Sequence, residues 1–412
     1  MALPLTHDML AKMLLQSLQR CGADRAVDHW DGDRRVAAMP SIDLAVVAFP
    51  NDAPPAWANV MCSRERPEGF AAVIGPEAGA VRNVRYLADP RGADGTSLAW
   101  APGSDWRRIE FAPLWGRGPQ RFVAPYPASL AKIMVLVGVA RLVDGGAVAW
   151  DHEWLHGGRT RRVDQWCESM VVASNNEAAD AMVALLHARG LITRHDDGSE
   201  TNGLHALFGD LGLHTLRLAG TTPAGGWRNA DGAGVGQLQM TAWDTVRLLW
   251  LMQPDGLWTD APWRPPEAPP LLATPSRHRI WDWLGDQGLH DVLATGALAG
   301  VPGWQRGIAA RVSSRWVQPD GSVQVEGTHY PPDVRAVNDR STCYFAHKTG
   351  STDNYAADAG WVQGQGVTGR RYLVAVTSTL GRRYAPHPAC AADWSLARLG
   401  ADIDAMLRET LR

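Results

Sequence analysis

Ser129 and Lys132 are polar residues three positions apart in Pro127-Ala128-Ser129-Leu130-Ala131-Lys132, at the head of an apolar run from Ile133 to Val143. On a helix that spacing puts the hydroxyl and the amine on one face, within reach of each other. The apolar residues behind them cover most of the circumference, which describes a helix buried inside a domain. Desolvation drives a buried lysine towards its neutral form, and a neutral amine beside a serine hydroxyl is a general base for a nucleophile. Two more polar clusters follow, Ser174-Asn175-Asn176 and Lys348-Thr349-Gly350. Taken singly, the first is also what an ordinary helix N-cap looks like, and the second could be a turn with a solvated lysine. All three in this order form a stronger signal than any one of them.

The elements that must position these residues are legible in part. Pro127 suits a first helical turn, and Gly145-Gly146 ends that helix after about four turns. Val163, Trp166, Cys167, Met170 and Val171 fall at helical spacing, and their helix ends at Ser174-Asn175-Asn176, with a second helix from Glu177 to Ala188 starting at once. Thr6 can cap a helix carrying Leu10, Met13, Leu14 and Leu18. Thr241-Ala-Trp-Asp244 resembles a capping box that opens a helix to about Met252. From Gln253 to about Pro275 the chain is Pro-rich and reads as a surface linker, and Ile280 to Leu298 returns to a helical pattern. Val81 to Leu87 and Arg107 to Phe111 look like strands leading into the Ser129 helix. Tyr344 to Lys348, Ala356 to Val362 and Tyr372 to Thr377 are apolar runs separated by Gly-containing turns, a meander of antiparallel strands. Leu396, Leu399, Ile403, Met406 and Leu407 predict a closing amphipathic helix. Residues 22–80 read as irregular or strand-rich, with short apolar runs at Ile42 to Phe49 and Phe70 to Ile74. The segment Arg311 to Thr342 is polar, carries the turn Pro319-Asp320-Gly321, and reads as an inserted hairpin or excursion.

With 412 residues and 45% hydrophobic content the chain is one large or two modest domains with ample core. Its 40 basic and 43 acidic residues form no polybasic stripe, which argues against nucleic acid as a partner. No apolar run approaches the roughly 20 residues of a membrane span. Met1-Ala-Leu-Pro-Leu-Thr-His-Asp lacks a basic n-region and a cleavage site, so a cytoplasmic location is expected as written, or a periplasmic one if an export signal has been removed. Five cysteines, odd in number and without metal-ligand spacing, suit a reduced compartment. Nineteen tryptophans could line an aromatic cleft, though packing in the core is their commoner use.

From about Val81 to the C-terminus the chain resembles the penicillin-recognising serine hydrolases, closest to the class A β-lactamase-like branch. Ser129-x-x-Lys132, Ser174-Asn175-Asn176 and Lys348-Thr349-Gly350 match that family's S-x-x-K, S-D-N and K-T-G motifs in order. Val163 to Asp180 is similar to the family helix ending in S-D-N, and Lys348-Thr-Gly-Ser-Thr-Asp-Asn-Tyr with Ala356 to Val362 is similar to its active-site strand, turn and next strand. The resemblance implies an α/β (α+β) fold, β-lactamase/transpeptidase-like, in which an antiparallel sheet flanked by helices meets an all-helical lobe. Residues 1–80 would then be an N-terminal extension of unknown role. Residues 81–412 would be the hydrolase domain, with its helical lobe at about 127–300 and an insert at about 311–342.

Carried over motif by motif, the resemblance makes Ser129 the nucleophile, Lys132 the acceptor of its proton, Ser174 a proton shuttle to the departing group, and Asn176 an orienting residue for Lys132 and the substrate amide. Lys348, Thr349, Gly350 and Ser351 would bind substrate. Lys348 and Thr349 would hold its carboxylate, Gly350 would allow close backbone approach, and the N–H groups of Ser129 and Ser351 would form the oxyanion hole. No cofactor and no metal is implied, and the partner would be a small, carboxylate-bearing acyl compound. Several features depart from the family. The glutamate that activates the deacylating water has no counterpart, since no glutamate occurs between Glu200 and Glu267. Asp210 and Asp231 are the nearest carboxylates, and Ala219 to Gly236 otherwise offers glycines, threonines and Asn229. Ser129 and Ser174 are closer in sequence than is usual, which removes an aromatic substrate wall that Trp154 could replace. Cys167 has no partner in the serine helix, and the segment before Lys348 is long enough to cover or reshape the cleft. The expectation is a serine hydrolase that forms an acyl-enzyme on Ser129 with a β-lactam, ester or amide. The alternatives are a D-alanyl-D-alanine peptidase, or a penicillin-binding sensor or trap that is acylated without turnover.

Overall fold

The computed structural model describes residues 5–89, 105–227, 238–254, 256–265, 267–366 and 369–411. Asn229 and Asp231 lie outside them. Helix α1 (His7–Arg20) is followed by strands β1 (Ile42–Ala48), β2 (Ala56–Cys62) and β3 (Phe70–Ala71). Helices α2 (Lys132–Asp144), α3 (Val163–Val172), α4 (Asn176–Ala188), α5 (Gly203–Asp210), α6 (Ala242–Leu251) and α7 (Thr274–Gly285) follow. A short hairpin, β4 (Val323–Val325) and β5 (Thr328–Tyr330), and helix α8 (Arg335–Asn338) precede strands β6 (Cys343–Ser351), β7 (Ala356–Gly364) and β8 (Arg371–Ser378) and the final helix α9 (Trp394–Thr410). The main sheet has the order β6-β7-β8-β1-β2-β3 and is antiparallel throughout. The expected α+β architecture is what the chain adopts.

Residues 1–80 do not form a separate extension. Strand β1 pairs with β8 from Ile42↔Ser378 to Ala48↔Tyr372, so the first and last strands of this sheet in chain order lie side by side in its middle. Both faces of β1 are covered, and all seven of its residues are buried. A strand enclosed on both faces reads as a continuous apolar run rather than an alternation, and periodicity cannot place such a run. Along β1, Leu44 and Val46 join Leu10, Leu14 and Leu18 of α1 and Leu399 and Ile403 of α9 in one core. Ala45 and Val47 join the core that contains α2, α4 and α6. Each fully buried side chain of this kind is worth about 1.5–3 kcal/mol.

Asp43, also on β1, ties the sheet to α6. Its carboxylate accepts the backbone N–H of Ala242 at 2.9 Å, at the start of α6, and the side-chain amide of Asn59 at 2.6 Å. Burial raises its pKa to about 6, against the pull of these donors. Thr241 caps the same helix as expected, accepting from Asp244 N, and Thr6 caps α1 by accepting from Met9 N.

Other boundaries move. Residues 106–108 form a 3-10 turn, and the strands before the serine helix are Val84–Ala88, Pro113–Trp115 and Gln120–Ala124. Helix α7 begins at Thr274 with Pro275 in its first turn, so the proline expected to close a linker opens a helix instead. That helix stops at Gly285, and Gly296–Leu298 forms a separate 3-10 turn where one continuous helix was expected. Among the described residues no helix is long and apolar enough to cross a membrane. All five cysteines are buried and unpaired.

Candidate functional site

Ser129 sits in a 3-10 turn, Ala128–Ala131, that runs directly into α2. The residue before it, Ala128, has φ +50, a left-handed conformation that costs a non-glycine residue of order 1–3 kcal/mol. Strand β6 crosses this turn. A Cβ on Gly350 would lie 2.5 Å from Pro127 O, 2.7 Å from Leu130 N and 2.9 Å from Ser129 N, so only glycine lets the strand meet the serine turn. The close approach expected of Gly350 towards substrate is thus made first towards the backbone of the serine turn.

Lys132 opens α2 with only 5% of its surface exposed. Its Nζ donates to the carbonyl oxygen of Ser174, to Ser174 Oγ at 3.2 Å and to Asn176 Oδ1 at 2.7 Å. Ser174 lies between α3 and α4 with φ +58. In that strained conformation its carbonyl and its hydroxyl serve the same amine. Asn175 caps α4 by accepting from Ala178 N at 2.9 Å. The Ser-Asn-Asn cluster is therefore both an N-cap and a lysine cradle.

Lys348 lies on β6, the edge strand of the sheet, and is fully buried. Its Nζ donates to Ser174 Oγ at 2.8 Å and to Thr349 O at 2.9 Å. The Ser174 hydroxyl thus stands between two lysines. Burial pushes the Lys132 amine well below its ordinary value, and the neighbouring Lys348 charge pushes the same way. Burial also lowers Lys348 to about 7, opposed by the carboxylates of Asp291 and Asp358. Beneath Lys348, His347 Nδ1 and Asp358 Oδ1 are 2.7 Å apart and wholly buried. Burial takes the imidazole down to about 3 and the carboxyl well up, so this contact is a hydrogen bond rather than an ion pair.

Ser129, Ser174, Asn176, Thr349, Gly350 and Ser351 line one cavity of about 510 Å³. Lys132 and Lys348 stand behind its wall, reaching it through the Ser174 hydroxyl. Part of the wall comes from the segment expected as an insert: Gly327, Thr328, His329 and Tyr330, all at or after the β4–β5 turn. Arg382 supplies a guanidinium and Asp291 a carboxylate to the lining. Asp291 is half-buried and its pKa is raised to about 6 by desolvation, while Tyr330 OH donates to its Oδ2 at 3.1 Å. Trp154 does not take the place of an aromatic wall. It lies in the Glu153–His156 strand and donates its indole N–H to Ala181 O at 3.0 Å, packed against α4. Among the described residues no tryptophan lines the cavity, and Trp166, Trp243 and Trp250 are buried in the core.

Sequence reasoning missed four charged groups near the site. Asp180 follows Asn176 by one helical turn and faces Lys132 electrostatically; burial raises its own pKa, with His156 and Lys132 pulling it down. The i, i+4 spacing from Asn176 is a signal that could have marked it. Gly225 and Gly226 press against this residue: a Cβ on Gly225 would meet Asp180 O at 2.4 Å, and one on Gly226 would meet Asp180 Oδ1 at 3.1 Å. Glu326, Asp291 and Arg382 belong to no motif and reach the site only through tertiary topology.

No family model matches the chain, and no curated protein matches it. Solved structures do. Penicillin-binding protein A is 14% identical, over 96% of this chain and 94% of its own, with a TM-score of 0.45. A class A β-lactamase from Bacteroides cellulosilyticus is 13% identical, over 98% of each chain, with a TM-score of 0.45. A β-lactamase from Sphaerobacter thermophilus is 14% identical, over 97% of each chain, with a TM-score of 0.47. Penicillin-binding protein A and class A β-lactamases are thus the structural neighbours of this chain, each as a likeness of fold at low identity.

Proposed function

We propose that this protein is a serine hydrolase that forms an acyl-enzyme on Ser129 with a small β-lactam, ester or amide. The observation that carries the reading is the buried Lys132 amine, held by Ser174 and Asn176 one turn from Ser129 at the wall of a polar cavity. A neutral amine has two N–H donors and one lone pair. Its donors satisfy the carbonyl oxygens of Ser174 and Asn176, and the lone pair is then left for a hydroxyl, from Ser129 during attack or from Ser174 during proton transfer. Lys348 donates to Ser174 Oγ and biases that hydroxyl to give its proton towards Lys132. In this cycle Lys132 takes the Ser129 proton as the Ser129 oxygen bonds to the acyl carbon. The proton passes through Ser174 to the leaving nitrogen or oxygen as the acyl bond breaks, and water then releases the acid.

The backbone N–H groups of Ser129 and Ser351 are the proposed oxyanion donors, each typically worth about 3 kcal/mol. The packing of Gly350 onto the serine turn supports this pairing. A carboxylate on the substrate would meet Thr349, Ser351 and Arg382 in the cavity, with Lys348 providing positive potential from behind. Turnover of a chromogenic cephalosporin and of a nitrophenyl ester, by the chain and by Ser129→Ala, tests the reading. Both activities should vanish in the variant, and activity that survives it would sink the proposal.

A second reading, a trap that is acylated and released slowly, is favoured by one observation. Among the described residues lining the cavity, Asp291 is the single carboxylate; Tyr330 engages its Oδ2, and its Oδ1 has no hydrogen-bond partner. Water activation after acylation then rests on this one carboxylate or on the Lys132 amine, and bulky acyl groups that exclude water from both should leave slowly.

A further inference from the structure

The turn that carries Ser174 is gripped from outside by a side chain that no motif marks. Strands β4 and β5 pair with Val325 opposite Thr328, which leaves a two-residue turn, Glu326-Gly327. Glu326 has φ +45, a conformation that such turns usually give to Asn, Asp or Gly. The backbone strain is accompanied by specific contacts. Glu326 Oε1 accepts from Ser169 Oγ at 2.6 Å, and Oε2 accepts from Asn175 Nδ2 at 2.8 Å. Ser169 belongs to the last turns of α3 and Asn175 caps α4, so one carboxylate bridges the two helices across Ser174.

The contact also gives meaning to a departure in the sequence. Where the S-D-N motif has an acid, this chain has Asn175. Either side chain can cap a helix through an oxygen. Only the amide can cap with its oxygen and donate to a carboxylate with its nitrogen, and Asn175 does both. An aspartate at 175 would face Glu326 with like charge. The charged groups around Lys132 come from three elements: Lys348 on β6, Asp180 on α4 and Glu326 on the hairpin.

We propose that Glu326 is a positioning residue for the acylation reaction: through Asn175 and Ser169 it holds Ser174 against Lys132 and adds one negative charge to the surroundings of that lysine. The inference rests on the proposed function and deepens it, because it assigns the inserted hairpin a role in the chemistry. A carboxylate near an amine favours the ammonium form, so removing it should lower the pH at which Lys132 becomes a competent base.

The test is the pH dependence of Ser129 acylation by benzylpenicillin, followed by intact mass, for the unsubstituted chain, Glu326→Gln, Asn175→Asp and the double variant. In Glu326→Gln the acid limb should move to lower pH by roughly half a unit, the scale of one charge acting over several ångströms. Asn175→Asp should slow acylation at least about tenfold, the cost of a charge-assisted contact turned repulsive. Adding Glu326→Gln should recover much of that loss, because the glutamine amide can donate to Asp at 175. A hairpin that served stability alone would leave the acid limb in place and give no recovery; those results overturn the inference while Ser129 acylation stands. If the unsubstituted chain is not acylated at all, the proposed function falls, and this inference with it.

Discussion

At the scale of residues, the site is two lysines sharing one hydroxyl. Ser174 Oγ lies 3.2 Å from Lys132 Nζ and 2.8 Å from Lys348 Nζ. Two ammonium groups so placed and so buried repel each other, and burial resolves the conflict by lowering both. This has a consequence for stability. Unfolding returns Lys348 from about 7 towards its ordinary value of 10.5, so between those values the unfolded chain binds more protons than the folded one. Stability gains from this group as pH rises through that window, and the full penalty of burying its charge is present below about pH 7. Replacing Lys348 by Met removes the titration and keeps the volume. The unfolding free energy of the unsubstituted chain, measured by urea titration relative to Lys348→Met, should increase between pH 7 and pH 10, with a slope approaching roughly 1 kcal/mol per pH unit. A flat difference would mean that the lysine is solvated.

The same residues were legible before the fold was known, because their types and order are unusual in an apolar context. Ser129, Lys132, Ser174, Asn176, Thr349, Gly350 and Ser351 are brought to one cavity wall, with Lys348 directly behind it. Arg382 and Glu326 were not legible. One lies in a 3-10 turn after the last strand and the other in a hairpin turn, and neither has periodicity or spacing that relates it to Ser129.

At the scale of elements, the decisive contact is the crossing of β6 over the serine turn. Gly350 sits where any Cβ would penetrate backbone atoms of Pro127, Ser129 and Leu130. Gly350→Ala must therefore push the strand away from Ser129 by an ångström or so. Misplacement on that scale costs about 100-fold in rate. Acylation of Ser129 should fall by about that factor while the far-ultraviolet circular dichroism stays unchanged. Acylation within threefold of the unsubstituted rate would show that the strand and the serine turn are not coupled. Periodicity revealed the meander of β6, β7 and β8 and the buried character of α2. It could not reveal that β6 is the edge strand, because strand order is set by pairing between distant segments.

At the scale of the whole molecule, the chain closes on itself. β1 is hydrogen-bonded to β8, and α1 packs beside α9 under the same sheet face. A reading that began the domain at residue 81 followed the motifs, all of which come later. It missed a buried strand whose seven residues face two cores at once. Removing residues 1–80 would strip β1, β2 and β3 from the sheet and expose β8 along its length. A chain starting at residue 81 should therefore give no cooperative thermal transition and should aggregate, the fate expected of an uncovered apolar sheet edge. A soluble, cooperatively melting 81–412 fragment would show that the N-terminal strands are accessory.

The proposed reaction is covalent: Ser129 would take an acyl group from a β-lactam or activated ester, with Lys132 as base. Time-resolved intact mass spectrometry after mixing with benzylpenicillin reads this directly, with peptide mapping to place the adduct. One equivalent of penicilloyl adduct is expected on Ser129, formed quickly and lost slowly, with no adduct in Ser129→Ala. Absence of any adduct without hydrolysis of penicillin or ester, or an adduct on another residue, would contradict it.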